Sequence, residues 1–170
     1  LFVLGGPGAG KTSAIRALLP DARTLVPHPK WTDCGDVVAA GHYTGATFDG
    51  GDTVPYTGAF VCLEYMYEVF RPRGVRLAIF DGDRFSTRNV VGYLTGIGIK
   101  IVGVHIDVPA DVRAARCVER GSAQNEAWIK GRVTKARNFA EHIRAEHIDG
   151  TRPVLDVAHE LLRIVREALA

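Results

Sequence analysis

The amino-acid sequence predicts an α/β fold of three layers, a mostly parallel sheet covered by helices on both faces. Three observations predict it. Short apolar runs alternate along the chain with segments of helical periodicity, and parallel pairing requires crossovers that are usually helical. The first apolar run leads through a glycine-rich loop straight into a helix. Finally, 170 residues with 46% hydrophobic and 24% charged content suffice to bury one core, so a single domain over residues 1–170 is expected.

Each element follows in order. Residues 1–4, Leu-Phe-Val-Leu, form a first strand, and residues 12–19 a helix that Pro20 stops. Residues 23–26 are a second apolar run ended by Pro27 and Pro29, and residues 36–43 a further strand. The glycine-crowded stretch 41–52 reads as a loop or hairpin. Residues 53–70 carry helical spacing at Phe60, Leu63, Tyr67 and Phe70, closed by Pro72 and Gly74. Residues 75–80 match a buried strand ending at Asp81, residues 84–96 a helix, and residues 99–108 a β-branched run that Pro109 ends. A helix follows over 111–120 with Gly121 just past its end, then a polar turn at 122–125. Ile129, Val133, Ala136, Ala140 and Ile143 step by four and three, which predicts an amphipathic helix over 126–146. After a short segment at 147–151, Pro153 starts a last helix with Val154, Ala158, Leu161, Val165 and Ala168 on its buried face.

Composition narrows the class. Cys34, Cys62 and Cys117 include no C-x-x-C pair, which fits neither a disulfide framework nor a zinc knuckle and suits a reducing cytoplasm. No apolar run approaches a membrane span, since Lys100 interrupts residues 97–104, so no membrane partner is expected. The net charge of +2 is unevenly spread. Residues 111–137 hold Arg113, Arg116, Arg120, Lys130, Arg132, Lys135 and Arg137 against Asp111, Glu119 and Glu126, which is +4 and leaves −2 elsewhere. Such a local cluster marks a site for polyphosphate, a nucleic-acid backbone, or both, when it is more than a solvated helix face.

The chemistry starts at Gly5-Gly6-Pro7-Gly8-Ala9-Gly10-Lys11-Thr12, which satisfies G-x-x-x-x-G-K-T between a strand and a helix. Glycines let the backbone of Gly6, Pro7, Gly8, Ala9 and Gly10 wrap tightly, so that its N–H groups and the helix start at Lys11, Thr12 and Ser13 face phosphate. Lys11 supplies a point charge near the β- and γ-phosphates, and the Thr12 hydroxyl a ligand for Mg²⁺. ATP and Mg²⁺ are therefore the expected cofactors. A second metal-binding acid belongs at the end of a neighbouring strand, where Asp81 stands, with Asp83 as the alternative. Arg116, Arg120 and Arg132, with Lys135 behind them, are the candidates for a helical lid over residues 111–137 that closes on the triphosphate. Phosphoryl transfer to a hydroxyl also needs a carboxylate that orients it. Asp52 is the first choice, equally placed to cap a helix, with Asp33, Asp36 and Asp49 in reserve. His42, Tyr43 and Phe48 can stack on a base or sugar.

Four stretches carry a resemblance. They are the Gly5 to Thr12 loop, Gly41-His42-Tyr43 with Phe48-Asp49-Gly50-Gly51-Asp52, Phe80-Asp81-Gly82-Asp83-Arg84-Phe85, and residues 124–135 from Gln124 to Lys135. Across nearly its whole length the chain resembles the bacteriophage P-loop kinases that phosphorylate the hydroxymethyl group of 5-hydroxymethyluracil in DNA during thymidine hypermodification. The resemblance implies a three-layer, nucleotide-kinase-like P-loop NTPase fold with a basic helical lid. It implies DNA containing the modified base as partner, and a substrate site at His42, Tyr43, Phe48, Asp52 and Arg84. Reaching a base in a duplex implies extruding it. The runner-up is a kinase of a free nucleotide, nucleoside or small metabolite. A GTP-dependent switch is disfavoured because no N-K-x-D sequence occurs.

Overall fold

The computed structural model describes residues 1–46, 49–122 and 124–170. Seven strands form one sheet in the order β2-β3-β4-β5-β1-β6-β7. They are β1 (Phe2–Leu4), β2 (Thr24–Val26), β3 (Trp31–Asp33), β4 (Val37–Ala40), β5 (Leu77–Asp81), β6 (Gly103–Asp107) and β7 (Glu146–Asp149). From β4 to β7 the pairing is parallel, and β2, β3 and β4 pair antiparallel at one edge. The helices are α1 (Lys11–Leu18), α2 (Ala59–Tyr65), α3 (Arg88–Gly96), α4 (Ala110–Glu119), α5 (Glu126–His142) and α6 (Val154–Leu169).

The period of two along β1 builds both cores at once. Phe2 and Leu4 enter a cluster with Trp31, Phe70, Phe80, Phe85 and Phe139, while Leu1 and Val3 face Ile15, Ile79, Ile106 and Leu161. A strand buried on both faces must be apolar throughout, as this one is. Edge-to-face rings of Trp31 against Phe70 and Phe80, with centroids 5.2 and 5.9 Å apart, tie the antiparallel edge to the sheet's centre.

Two strands lie outside the sequence expectation. Trp31–Asp33 is three residues between Pro29 and Gly35, too short for a periodic signal. Glu146–Asp149 begins where the predicted helix 126–146 was still running. That helix ends at His142 because Arg144 adopts a left-handed φ of 53° and Ala145 N–H donates to the Ala140 carbonyl at 2.8 Å. This closure normally uses glycine, so its sequence signal is absent. Conversely, the expected strand 99–108 is shortened to Gly103–Asp107, since Gly98 at φ 77° and Ile99 N–H close α3. The predicted helix 53–70 opens as two single 3₁₀ turns, Gly51–Thr53 and Tyr56–Gly58, and its last turn widens to a π-helix over Met66–Phe70. On α6, Val154 is exposed and Val157 and Ile164 take buried places beside Ala158, Leu161 and Val165. Among the described residues no helix is long and apolar enough to cross a membrane.

The stretch after β4 folds back as a hairpin-like tongue. His42 and Gly50 form an isolated antiparallel bridge, and the buried Thr32 hydroxyl donates to the Gly41 carbonyl at 2.8 Å while accepting from Tyr43 N–H. Gly41 has φ 101°, and a Cβ there would lie 2.0 Å from the Gly50 carbonyl oxygen. Neither position can give, because both are backbone. Gly41→Ala is expected to cost at least about 2 kcal/mol, read as a lower urea midpoint with an unchanged slope; a midpoint equal to wild type would contradict this packing.

Candidate active site

The C-terminal ends of β1, β5 and β6 converge on the loop between β1 and α1, the position at which open α/β sheets bind ligands. Gly5, Gly8 and Gly10 take φ of 146°, 79° and 90°. A Cβ on Gly8 would come within 2.6 Å of the Arg113 carbonyl, and one on Gly6 within 2.6 Å of Val133. The glycines are thus required by conformation and by the close approach of α4 and α5. Gly10 ends the loop as the residue before α1, and Lys11, Thr12 and Ser13 form that helix's first turn, whose N–H groups lack helical acceptors. Lys11 arches back so that its Nζ donates to the Gly6 carbonyl at 3.2 Å.

Thr12 Oγ1 donates to Asp81 Oδ2 at 2.6 Å. Asp81 is buried at the end of β5, and burial raises its pKa while Lys11 and the Thr12 hydrogen bond act in the opposite direction. A hydroxyl and a carboxylate so paired at a phosphate loop are oxygen donors of the kind Mg²⁺ prefers. Asp83 does something else. It pairs with Arg132 and with Lys135, whose Nζ lies 3.5 Å from Oδ2.

Gly50 and Gly51 press on the same carboxylate. A Cβ on Gly50 would lie 2.8 Å from Asp81 Oδ2, and one on Gly51 2.3 Å from the Asp81 carbonyl. The glycine pair therefore sets Asp52 beside Asp81, close enough for its charge to raise the Asp81 pKa further. Asp52 is exposed and makes no capping bond; its Oδ1 accepts from Arg84 Nη1 at 2.5 Å. Arg84 in turn lies over the Tyr56 ring at 4.6 Å. Arg132 contacts the Tyr56 hydroxyl and stacks on Trp128 at 4.8 Å. Tyr56, Asp83, Trp128, Gly131, Arg132 and Lys135 together line a solvent-open cavity of about 450 Å³.

Several expected site residues are placed elsewhere. Tyr43 is fully buried among Ile15, Ala39 and Ile79, so its ring cannot stack on a ligand. His42 commits Nε2 to the Val26 carbonyl at 2.7 Å and serves the sheet edge. Asp49 accepts from Thr44 N–H, the Thr44 hydroxyl, Gly45 N–H and Arg16, which makes it the organiser of the tongue with no oxygen to spare for a substrate. Asp33 pairs with Arg73 at the opposite end of the sheet, where Asp36 also lies. Arg120 reaches only the Cys117 sulfur, one turn beyond the loop. Phe48 lies outside the described residues. Arg116 does lie along the loop, its Nη1 donating to Gly150 O at 3.0 Å and approaching Gly8 O at 3.5 Å.

Sequence reasoning passed over three residues here. Arg113 Nη1 would stand 3.0 Å from a Cβ on Gly6, nearer the loop than Arg120; its place one turn before Arg116 was the available signal. Tyr56 and Trp128 are aromatic side chains left 61% and 38% exposed, a property that sequence does not carry.

The family model described as P-loop Nucleotide Kinase3 matches residues 1–169. The chain belongs to this family. No curated protein matches it. As a member of the P-loop Nucleotide Kinase3 family it is a nucleotide-binding P-loop kinase.

Asp81 yields a test in metal-free protein. With a folded pKa above the ordinary carboxylate value, ionising this group costs stability, a cost that grows as pH rises from that value through the folded pKa and is complete above it. In EDTA, Asp81→Asn should raise the melting temperature at mildly alkaline pH and leave it nearly unchanged in acid, while Mg²⁺-dependent nucleotide binding is lost. A lower melting temperature at alkaline pH would contradict the burial of an ionised Asp81.

Proposed function

We propose that this kinase transfers the γ-phosphate of ATP to the hydroxymethyl group of 5-hydroxymethyluracil in DNA. The observation that carries the reading is the placement of Asp52 between the Thr12 and Asp81 pair and a cleft of cationic and aromatic side chains. Tyr56 and Trp128 offer faces for an extruded base, and Lys135, Lys130 and Arg88 offer charge to the flanking phosphates. The four sequence stretches that resemble the phage DNA kinases lie at the loop, the tongue, the β5 end and α5.

In this mechanism Lys11 leaves the Gly6 carbonyl for the β- and γ-phosphate oxygens. Mg²⁺ held by Thr12 and Asp81 would neutralise charge on those oxygens. Asp52 orients the acceptor hydroxyl and takes its proton as the new O–P bond forms and the bond to the β-phosphate oxygen breaks, leaving ADP. Arg113, Arg116 and Arg132 stabilise charge on the phosphoryl group in flight, with residues 111–137 acting as the lid.

A second reading keeps all of this and changes the acceptor to a free nucleotide, nucleoside or small metabolite. A cavity of about 450 Å³ is of the size that holds a single small molecule, and the family description names a nucleotide kinase.

Radiolabelled ATP with duplex DNA containing 5-hydroxymethyluracil, DNA containing 5-hydroxymethylcytosine, unmodified DNA and free nucleosides separates the two. Label in the first substrate, with DNA affinity that falls steeply with salt, is expected; label in free nucleosides alone would overturn the DNA reading. Asp52→Asn should lose about 10²-fold or more in transfer with ATP affinity intact, whereas Lys11→Ala should lose both. An unchanged rate in Asp52→Asn would remove it as the base.

A further inference from the structure

A second cluster of side chains lies on β6 and β7. β6 and β7 run parallel with His105 opposite His147. Ile106 and Ile148, also opposite one another, both enter the core beneath α1 and α6. The pleat therefore sends His105, Asp107 and His147 to the other face of the sheet. There, Asp107 Oδ1 lies 2.9 Å from His105 Nδ1 and Asp107 Oδ2 lies 2.6 Å from His147 Nδ1. One ligating atom from each of the three falls within 4.8 Å of the others.

The buried member of the trio is the informative one. The His105 side chain is 7% exposed; its Nδ1 meets only the Asp107 carboxylate, out of line for a good hydrogen bond, and its Nε2 has no partner among the described residues. A folded interior rarely leaves a buried imidazole nitrogen without a partner. His147 and Asp107 are more than half exposed at the sheet edge, so solvent reaches the open side of the trio. Burial lowers the His105 pKa and Asp107 raises it, while His147 on the neighbouring strand and the exposed Arg137 of α5 also lower it.

We infer that His105, Asp107 and His147 form a binding site for a borderline divalent transition-metal ion, of which Zn²⁺ is the reference. Two imidazoles and one carboxylate on a single face are a donor set such ions take up, with the remaining positions left to water. Mg²⁺, which favours oxygen donors, is a poor match to it. A convergence of about 1 Å per ligand brings the three atoms to bonding distance of a common ion. The ion would clip the edge strand β7 to β6, a role separate from the phosphate site.

Titration of the full chain with Co²⁺, followed by visible absorption in saturating Mg²⁺, tests it. One equivalent is expected to bind with the intense bands of a nitrogen-coordinated ion, and Zn²⁺ should displace it. His147→Ala and Asp107→Asn should each weaken binding at least about tenfold while their circular dichroism and Mg²⁺-dependent ATP binding stay as in wild type. Cys34→Ser, which removes the one half-exposed thiol among the free cysteines, should bind as wild type. An absorption spectrum no different from free Co²⁺, undiminished binding in the two cluster variants, or loss of binding in Cys34→Ser would each overturn the assignment.

Discussion

The short hydrogen bond from Thr12 to Asp81 joins the first turn of α1 to the end of β5, and the rest of the site is arranged around it. A buried carboxylate is expensive to ionise unless something answers its charge. Here the answers are the Thr12 hydroxyl and Lys11 of the phosphate loop and a backbone N–H from Gly51. The two glycines before Asp52 exist at that point because any side chain would strike Asp81. One carboxylate thereby brings together three segments that are far apart in sequence: the loop at residues 5–12, the glycine pair at residues 50–51, and β5.

Charge around the cleft is balanced in pairs. Asp52 holds Arg84, Asp83 holds Arg132 and Lys135, and the two aromatic rings of Tyr56 and Trp128 lie against the guanidinium groups. Ion pairs that reach solvent on at least one side, as Asp52 and Lys135 do here, add little to stability; what they do add is placement. An anionic ligand entering the cleft meets cations already oriented but partly neutralised, and it must compete with carboxylates for them. Asp81 and Asp83, two residues apart on a strand end, thus serve different partners, one the helix α1 and the other the helix α5.

The α/β class, the six helices and five of the seven strands were legible in the sequence, because apolar periodicity and glycine or proline punctuation agree there. Where they disagree the reading slipped. Arg144 takes a left-handed conformation without being glycine, so nothing marked the end of α5 or the start of β7. At the candidate site, the loop between a strand and a helix and the position of Asp81 at a strand end were legible from pattern. The substrate candidates were less so, since an aromatic residue in a glycine-rich stretch can face solvent or core, and Tyr43 faces the core. Asp49 and Asp52 are three residues apart and chemically alike, yet four donors surround the first and one arginine meets the second. That distinction is made by tertiary contact alone.

A crystal structure with Mg²⁺ and a non-hydrolysable ATP analogue tests the central arrangement most directly. The account predicts that the ion inserts between the Thr12 hydroxyl and Asp81, and that Lys11 swings from the Gly6 carbonyl to the β- and γ-phosphates. A structure in which the analogue is bound while Thr12 and Asp81 keep their direct hydrogen bond, with the ion held by other residues, would contradict it.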